Sequence, residues 1–247
     1  MFFFSFNKFA GFDRVFNYEL NLPKLKEGDL IKCGEDFLLC LGKEISFKEQ
    51  YNFVYKPEGK TEIIQKGFLS IKSINLIHRL VYTYYSTYKS VMKHFLSFEI
   101  ETLLSKKITK SKPTKIENLQ QKFKSELNQF NIDIDLQLGQ VLIILPDLRT
   151  LHNLFSDKLL EDKLVSFIYS NSSQNQKDKS RRKIKNGNTV LIISTYGEIF
   201  QDFYNLQKII LVDPHKRYYS NQQDPRFKTQ EVAKQMAEIH KAKLILA

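Results

Sequence analysis

The sequence predicts an α/β protein with a small β-rich module first, a helical linker next, and then an α/β half built on a parallel sheet. Three observations carry this. Short apolar segments punctuated by turn residues fill 12–47, a long helical stripe follows at 73–96, and from 139 onward near-continuous apolar runs alternate with helical segments. Alternating strands and helices imply a parallel sheet covered by helices, and strands covered on both faces read as unbroken apolar runs.

In the first half, VFNYEL (15–20) alternates in part between apolar and polar, as a half-buried strand does. LPKLKEGDLIKC (22–33) sets Glu27-Gly28-Asp29 as a turn before a short strand, and FLLCLG (37–42) is a strand ending in Gly42. The polar stretch YKPEGKTE (55–62) contains Gly59-Lys60-Thr61. A phosphate loop needs a further glycine five places earlier so that backbone N–H groups wrap the anion, but Val54 stands there and no apolar strand feeds the segment. It reads as a turn.

SINLIHRLVYTYYSTYKSVMKHFL (73–96) places Ile74, Ile77, Leu80, Val81, Tyr84, Tyr85, Tyr88, Val91, Met92 and Phe95 on one helical stripe, opposite Arg79, Lys89 and Lys93. The stripe reads as core in preference to a base-stacking platform. SKKITKSKPTKIENLQQKFKS (105–125) begins as a basic linker around Pro113, with Lys106, Lys107, Lys110 and Lys112, and continues as a helix. This sets three regions: 1–66, 67–125 and 126–247.

The second half supplies VLIILP (141–146), TVLIIS (189–194), KIILVD (208–213) and KLILA (243–247) as buried strands, with LVSFIY (164–169) as a weaker fifth. Helical segments fall at 148–160, 174–185 and 228–241. Function in such sheets gathers beyond the carboxyl ends of the strands. Those ends hold Pro146-Asp147, Ser194-Thr195 and Asp213.

Composition narrows the partner. Thirty-eight Lys and Arg against 27 Asp and Glu give a net charge of +11 and a pI near 9.4, which favours a polyanion, nucleic acid above all. A basic but inert surface and a coding bias toward Lys, Asn and Ile are the plainer readings. No segment approaches the roughly 18 apolar residues of a membrane span, so no membrane partner is expected. The aromatic start MFFFSFNKFAGF lacks the features of a signal peptide. Cys33 and Cys40, with six residues between them and no CxxC pair, read as reduced thiols of a cytoplasmic chain, with no metal site.

In order, the second half resembles the primosomal protein N′ family, bacterial superfamily 2 helicases that restart stalled replication forks. LGQVLIILPDLRTLHNLF (138–155) is similar to the family's GKqxLvLVPEIxLTPQ segment, with Pro146 kept and Asp147 in place of Glu. YSNSS (169–173) falls where the family has HSGLS. KNGNTVLIISTYGEIFQDFYNLQKIILVDPHK (185–216) tracks a segment in which Gly187, Thr195, Phe200, Phe203, Asn205, Leu206 and Asp213 keep the family's residue types. YYSNQQDPRFKTQEVAKQMA (218–237) keeps Pro225, Arg226 and an aromatic at Phe227. The first half resembles the family more weakly. Phe16-Asn17-Tyr18 falls on its FDY motif, and Tyr84-Tyr85 on a pair of helix tyrosines. The resemblance implies a domain that captures a 3′ DNA end at 1–66 and the first RecA-like lobe of a helicase at 126–247.

The departures bear on activity. No glycine cluster or GKT precedes VLIILP, where the family has its phosphate loop. The acidic motif DEEH is replaced by Asp213-Pro214-His215-Lys216, and the Arg of the GTRSA segment is lost after Thr195. The resemblance therefore implies a DNA-binding relative without the motor's ATPase, needing no cofactor and carrying no catalytic residue. Phe16 and Tyr18 would flank a terminal base, with Asn17 accepting from a 3′ hydroxyl, or the aromatic pair packs a small core. Lys177, Lys179, Arg181, Arg182, Lys183 and Lys185 would meet phosphates, or form a solvated helix face. The implied partners are forked or 3′-ended DNA and replication-restart proteins. A non-catalytic scaffold, an ATPase completed by another chain, and a truncated remnant of an ATP-dependent 3′–5′ DNA helicase stay open as alternatives.

Overall fold

In a computed structural model, the chain divides into two compact units, residues 1–106 with 223–225, and residues 107–222 with 226–247. The structure describes residues 1–7, 13–20, 22–56, 59–96, 104, 116–129 and 134–247.

The first unit is built on a six-stranded sheet of β1 (Phe2–Ser5), β2 (Val15–Tyr18), β3 (Leu30–Cys33), β4 (Asp36–Gly42), β5 (Val54–Tyr55) and β6 (Thr61–Gln65), in the order β5-β2-β1-β4-β3-β6. Every residue of β1 is buried. The aromatic N-terminal run is thus an inner strand, antiparallel to β2 and β4. The β3–β4 hairpin closes over Gly34-Glu35, with Gly34 supplying a φ of +59. Asp29 follows the expected Glu27-Gly28 turn. Its buried carboxylate accepts from Lys26 N at 2.9 Å and Gly67 N at 2.8 Å, tying that turn to the segment before α1.

The single helix expected over 73–96 is two, α1 (Ile71–Thr83) and α2 (Tyr88–Phe95). Ser70 caps α1 by accepting from Ser73 N, and Thr87 caps α2 by accepting from Ser90 N. Between them Tyr85 takes a left-handed conformation, φ +47, which ends α1. Ile74, Ile77, Leu80, Val81, Tyr88, Val91, Met92 and Phe95 are buried as the stripe requires, whereas Tyr85 is exposed.

The second unit holds a five-stranded, all-parallel sheet of β7 (Gln140–Leu145), β8 (Val165–Ile168), β9 (Leu191–Thr195), β10 (Leu206–Leu211) and β11 (Lys243–Leu246), in the order β11-β10-β7-β9-β8. β7 and β9 are buried throughout, which is why they read as unbroken apolar runs. Flanking helices are α3 (Ile116–Lys122), α4 (Lys124–Asn128), α5 (Leu148–Leu154), α6 (Asp157–Leu160), α7 (Gln174–Lys185) and α8 (Thr229–His240). This mixed architecture, with helices around a parallel sheet, is that of a RecA-like half-domain. The helix expected at 148–160 breaks at Phe155 because Ser156 caps a new turn, accepting from Leu159 N. A core of Leu119, Phe123, Leu127, Val141, Ile143, Leu151 and Ile193 packs α3, α4 and α5 against the sheet. Gln140, 2% exposed, is fully used: its amide donates to Ile184 O and Thr189 O and accepts from Asn205 N.

Candidate functional site

The carboxyl ends of β7, β9 and β10 bring Asp147, Thr195 and Asp213 to one edge of the second sheet. Asp147 is the N-cap of α5: Oδ1 accepts from Thr150 N at 2.7 Å and from Thr150 Oγ1 at 3.0 Å. These bonds, and then the charge of Lys216, hold its carboxyl below the usual aspartate range. Thr195 is buried, and its hydroxyl has no hydrogen-bond partner among the described residues. Asp213 leaves β10 in a left-handed conformation, φ +50, and its carboxylate pairs with Lys216 Nζ at 3.0 Å. His215 and Lys216, exposed, line a cleft of about 450 Å³ with Asp213, Pro214, Leu246 and Ala247. Arg226 is exposed, while its neighbour Phe227 is buried edge-on against Phe200 at 5.0 Å.

Of the two carboxylates at this edge, Asp147 is occupied as the helix cap, and Asp213 is opposed by a lysine three residues on and followed by Pro214. Among the described residues no group of three or more His, Cys, Asp or Glu could hold a metal ion.

The basic run of α7 divides into two faces. Lys177 donates to Glu198 Oε1 at 2.7 Å and to Ser170 O at 2.9 Å. Arg181 lies 3.5 Å from Asp178 and 3.9 Å from Glu198, and Lys185 lies 3.3 Å from Asp202. Residues at i, i+4 and i+8 share a helix face, and here that face is turned inward onto acids of the loop after β9. Burial pulls Arg181 and Lys185 below their ordinary values. Lys179 is exposed and Lys183 half-buried, leaving these two as the outward cations, whereas Arg182 is half-buried with its Nη1 enclosed. The cap of α7 is complete, with Ser173 and Gln176 bonding reciprocally.

On the first unit, Phe16, Asn17 and Tyr18 form three of the four residues of β2. Phe16 and Tyr18 share one face with Tyr55, at 5.3 Å and 5.8 Å between ring centroids, and Tyr18 also meets Phe3 edge-on. Asn17 alternates to the other face, where its Oδ1 accepts from the Met1 ammonium at 3.4 Å. The three side chains therefore do not converge on one point. Beside them, Phe53 on the approach to edge strand β5 packs on Tyr55 at 4.8 Å and is 72% exposed.

Lys106, Lys107, Lys110 and Lys112 lie outside the described residues. Residues not anticipated from sequence are Glu198 and Asp202, which absorb half of the α7 cations, and Tyr219, whose hydroxyl donates to Val212 O and reaches Ile144 O at 3.2 Å. Nothing in local spacing points to them, because the contacts are tertiary.

No family model matches the chain. Over 82 residues, 33% of the chain, it is 32% identical to the replication restart protein PriA of Bacillus subtilis (strain 168), and the match spans 10% of that protein. This partial likeness supports a distant relationship to replication restart proteins. No helix among the described residues is long and apolar enough to cross a membrane.

Proposed function

We propose that this chain is a DNA-binding protein that keeps the first-lobe fold of a replication-restart helicase without that motor's nucleotide chemistry. The replacement of the family's acidic motif by Asp213-Pro214-His215-Lys216, with Lys216 3.0 Å from the Asp213 carboxylate, carries the second part of this reading. The partial likeness to a replication restart protein, the net charge of +11 and the outward cations Lys179 and Lys183 support the first part. In this reading 126–247 is a degenerate helicase lobe and 1–66 is related to a domain that captures DNA ends. Phe16 and Tyr18 offer ring faces beside Tyr55 to a terminal base. The partners are forked or 3′-ended DNA and replication-restart proteins of the cytoplasm. The second reading is a scaffold within a restart assembly, favoured by the exposed Phe53 and Val54 at the edge of the first sheet.

Fluorescence anisotropy with labelled forked DNA at rising salt tests the reading. Log affinity should fall linearly with log salt, by about 0.7–0.9 per phosphate contact. No binding at low salt transfers the weight to the scaffold.

A further inference from the structure

Two exposed tyrosine rings meet a half-buried phenylalanine on the first unit, apart in sequence from β2. The Phe47 ring lies 5.9 Å from that of Tyr82 at an interplanar angle of 25°, and 5.7 Å from that of Tyr85 at 29°. Both contacts are stacked, whereas Phe3–Tyr18, Phe4–Phe6 and Phe6–Phe68 in the same unit are edge-on. Tyr82 is 64% exposed and Tyr85 83% exposed, so the stack leaves most of both tyrosine rings in solvent.

The backbone is strained at two of the three residues. Phe47 has φ +56 and ψ +39, and Tyr85 has φ +47. A bulky side chain in the left-handed region is a true outlier. Tyr85 sits where α1 stops: Ser86 N donates to Val81 O at 3.1 Å and Tyr85 N to Tyr82 O at 3.5 Å. Those paired bonds belong to a helix ending that normally carries glycine at the Tyr85 position. Glycine would sit there without strain, and burial does not repay the tyrosine. The ring is held where neither the backbone nor the core calls for one.

Open ring faces held beside cations are what a protein uses to grip single-stranded nucleic acid without reading its sequence. Arg79, exposed, lies one helical turn before Tyr82 on the same side of α1. Lys43 and Lys48 flank Phe47, and Lys89 follows Tyr85. Against these four stand Glu44, which pairs with Lys48 at 3.1 Å, Glu49, Asp13, which accepts from Lys89 N at 3.0 Å, and Asp224, which accepts from Ser86 Oγ at 3.0 Å, so cations and acids are interleaved around the rings.

We infer that Phe47, Tyr82 and Tyr85 form a stacking platform for the bases of single-stranded DNA, separate from the aromatic cluster on β2. The inference rests on the DNA-binding reading above and adds the part of the strand that is gripped: the base faces, in addition to the phosphates. Such a grip is indifferent to base identity because every base has a π face.

The test compares the full chain with its Tyr85→Gly and Tyr82→Ala/Tyr85→Gly variants. Each is titrated with a labelled oligothymidylate and with a strand of equal length made of abasic sites, and each is unfolded in urea. The wild type should prefer the strand with bases. The double variant should lose about tenfold or more in affinity for oligothymidylate, with abasic binding unchanged. Tyr85→Gly alone should weaken oligothymidylate binding in the same direction while stability holds or rises, since glycine relieves the φ; a merely structural ring would instead cost stability. Equal binding of the two strands by the wild type, or unchanged oligothymidylate binding by Tyr85→Gly, overturns the platform and leaves the DNA-binding reading standing. A stack that serves a protein partner gives that result. Failure of the wild type to bind either strand overturns both.

Discussion

Lys177 reaches Glu198 across 2.7 Å, and both side chains are largely withdrawn from solvent. A lysine that the sequence offers to phosphate is thereby committed to the protein's own fold, joining α7 to the loop after β9. Glu198 is shared, since Arg181 approaches it at 3.9 Å. Glu198→Gln leaves two inward cations facing a neutral amide. It is expected to destabilise the second unit by about 3 kcal/mol, the lower end for breaking a buried pair, read as a lower urea midpoint. DNA affinity per folded molecule should change little.

The outward face of α7 predicts the opposite pattern. Replacing Lys179 and Lys183 together with Gln should leave stability within about 0.5 kcal/mol, as for surface changes. It should reduce the slope of log affinity against log salt by about 1.4–1.8, since each lost phosphate contact removes about 0.7–0.9. A salt titration of labelled DNA checks this. An unchanged slope would place the phosphate path elsewhere.

Tyr219 ties the carboxyl ends of neighbouring strands together. Its hydroxyl donates to Val212 O beyond β10 and lies 3.2 Å from Ile144 O of β7. Burial, with Asp213 and Asp147 nearby, pushes the phenol well above its ordinary value, so it remains a donor throughout the accessible pH range. Tyr219→Phe should cost about 1–2 kcal/mol through the Val212 carbonyl left unsatisfied, Ile144 O keeping its bond from Val212 N, measured by chemical denaturation.

Acid should weaken the first unit through His78. Tyr88 Oη accepts from Ser46 N, so its proton points to His78 Nδ1 at 2.7 Å, leaving Nε2–H to donate to Leu41 O at 2.9 Å. Burial holds the imidazole below an ordinary histidine's value of about 6.5. A folded-state value that is depressed gives stability that is full above the unfolded value and declines as pH falls below it. The urea midpoint should therefore drop between about pH 7 and about pH 5.5, and His78→Gln should flatten that slope. Asp13, which accepts from Tyr51 and Lys89 N and is raised by burial, acts in the other direction at lower pH. Its contribution grows as pH falls through its folded value.

The parallel sheet was legible because a strand buried on both faces has no polar residue to interrupt it, and VLIILP, TVLIIS and KIILVD are such runs. The same lack of alternation hid β1, since FFFS at the N-terminus carries no strand period to read. The break between α1 and α2 was not legible, because Tyr85 occupies a position whose backbone calls for glycine and so gives no stop signal. The α7 charges were legible as charges. Their division into inward and outward sets was not, because Glu198 and Asp202 arrive from another part of the chain. The strand at 15–18 was legible from its partial alternation, and that alternation alone separates Asn17 from Phe16 and Tyr18, whereas the resemblance treats the three as one motif.

The most direct measurement is one titration of labelled forked DNA carrying either a free or a blocked 3′ end, across a salt series, with and without ATP and magnesium. Salt-sensitive binding that weakens when the 3′ end is blocked and is indifferent to ATP is the predicted result, from a DNA-end-binding chain whose helicase lobe keeps its fold without its chemistry. Affinity that responds to ATP, or no binding at low salt, would contradict it.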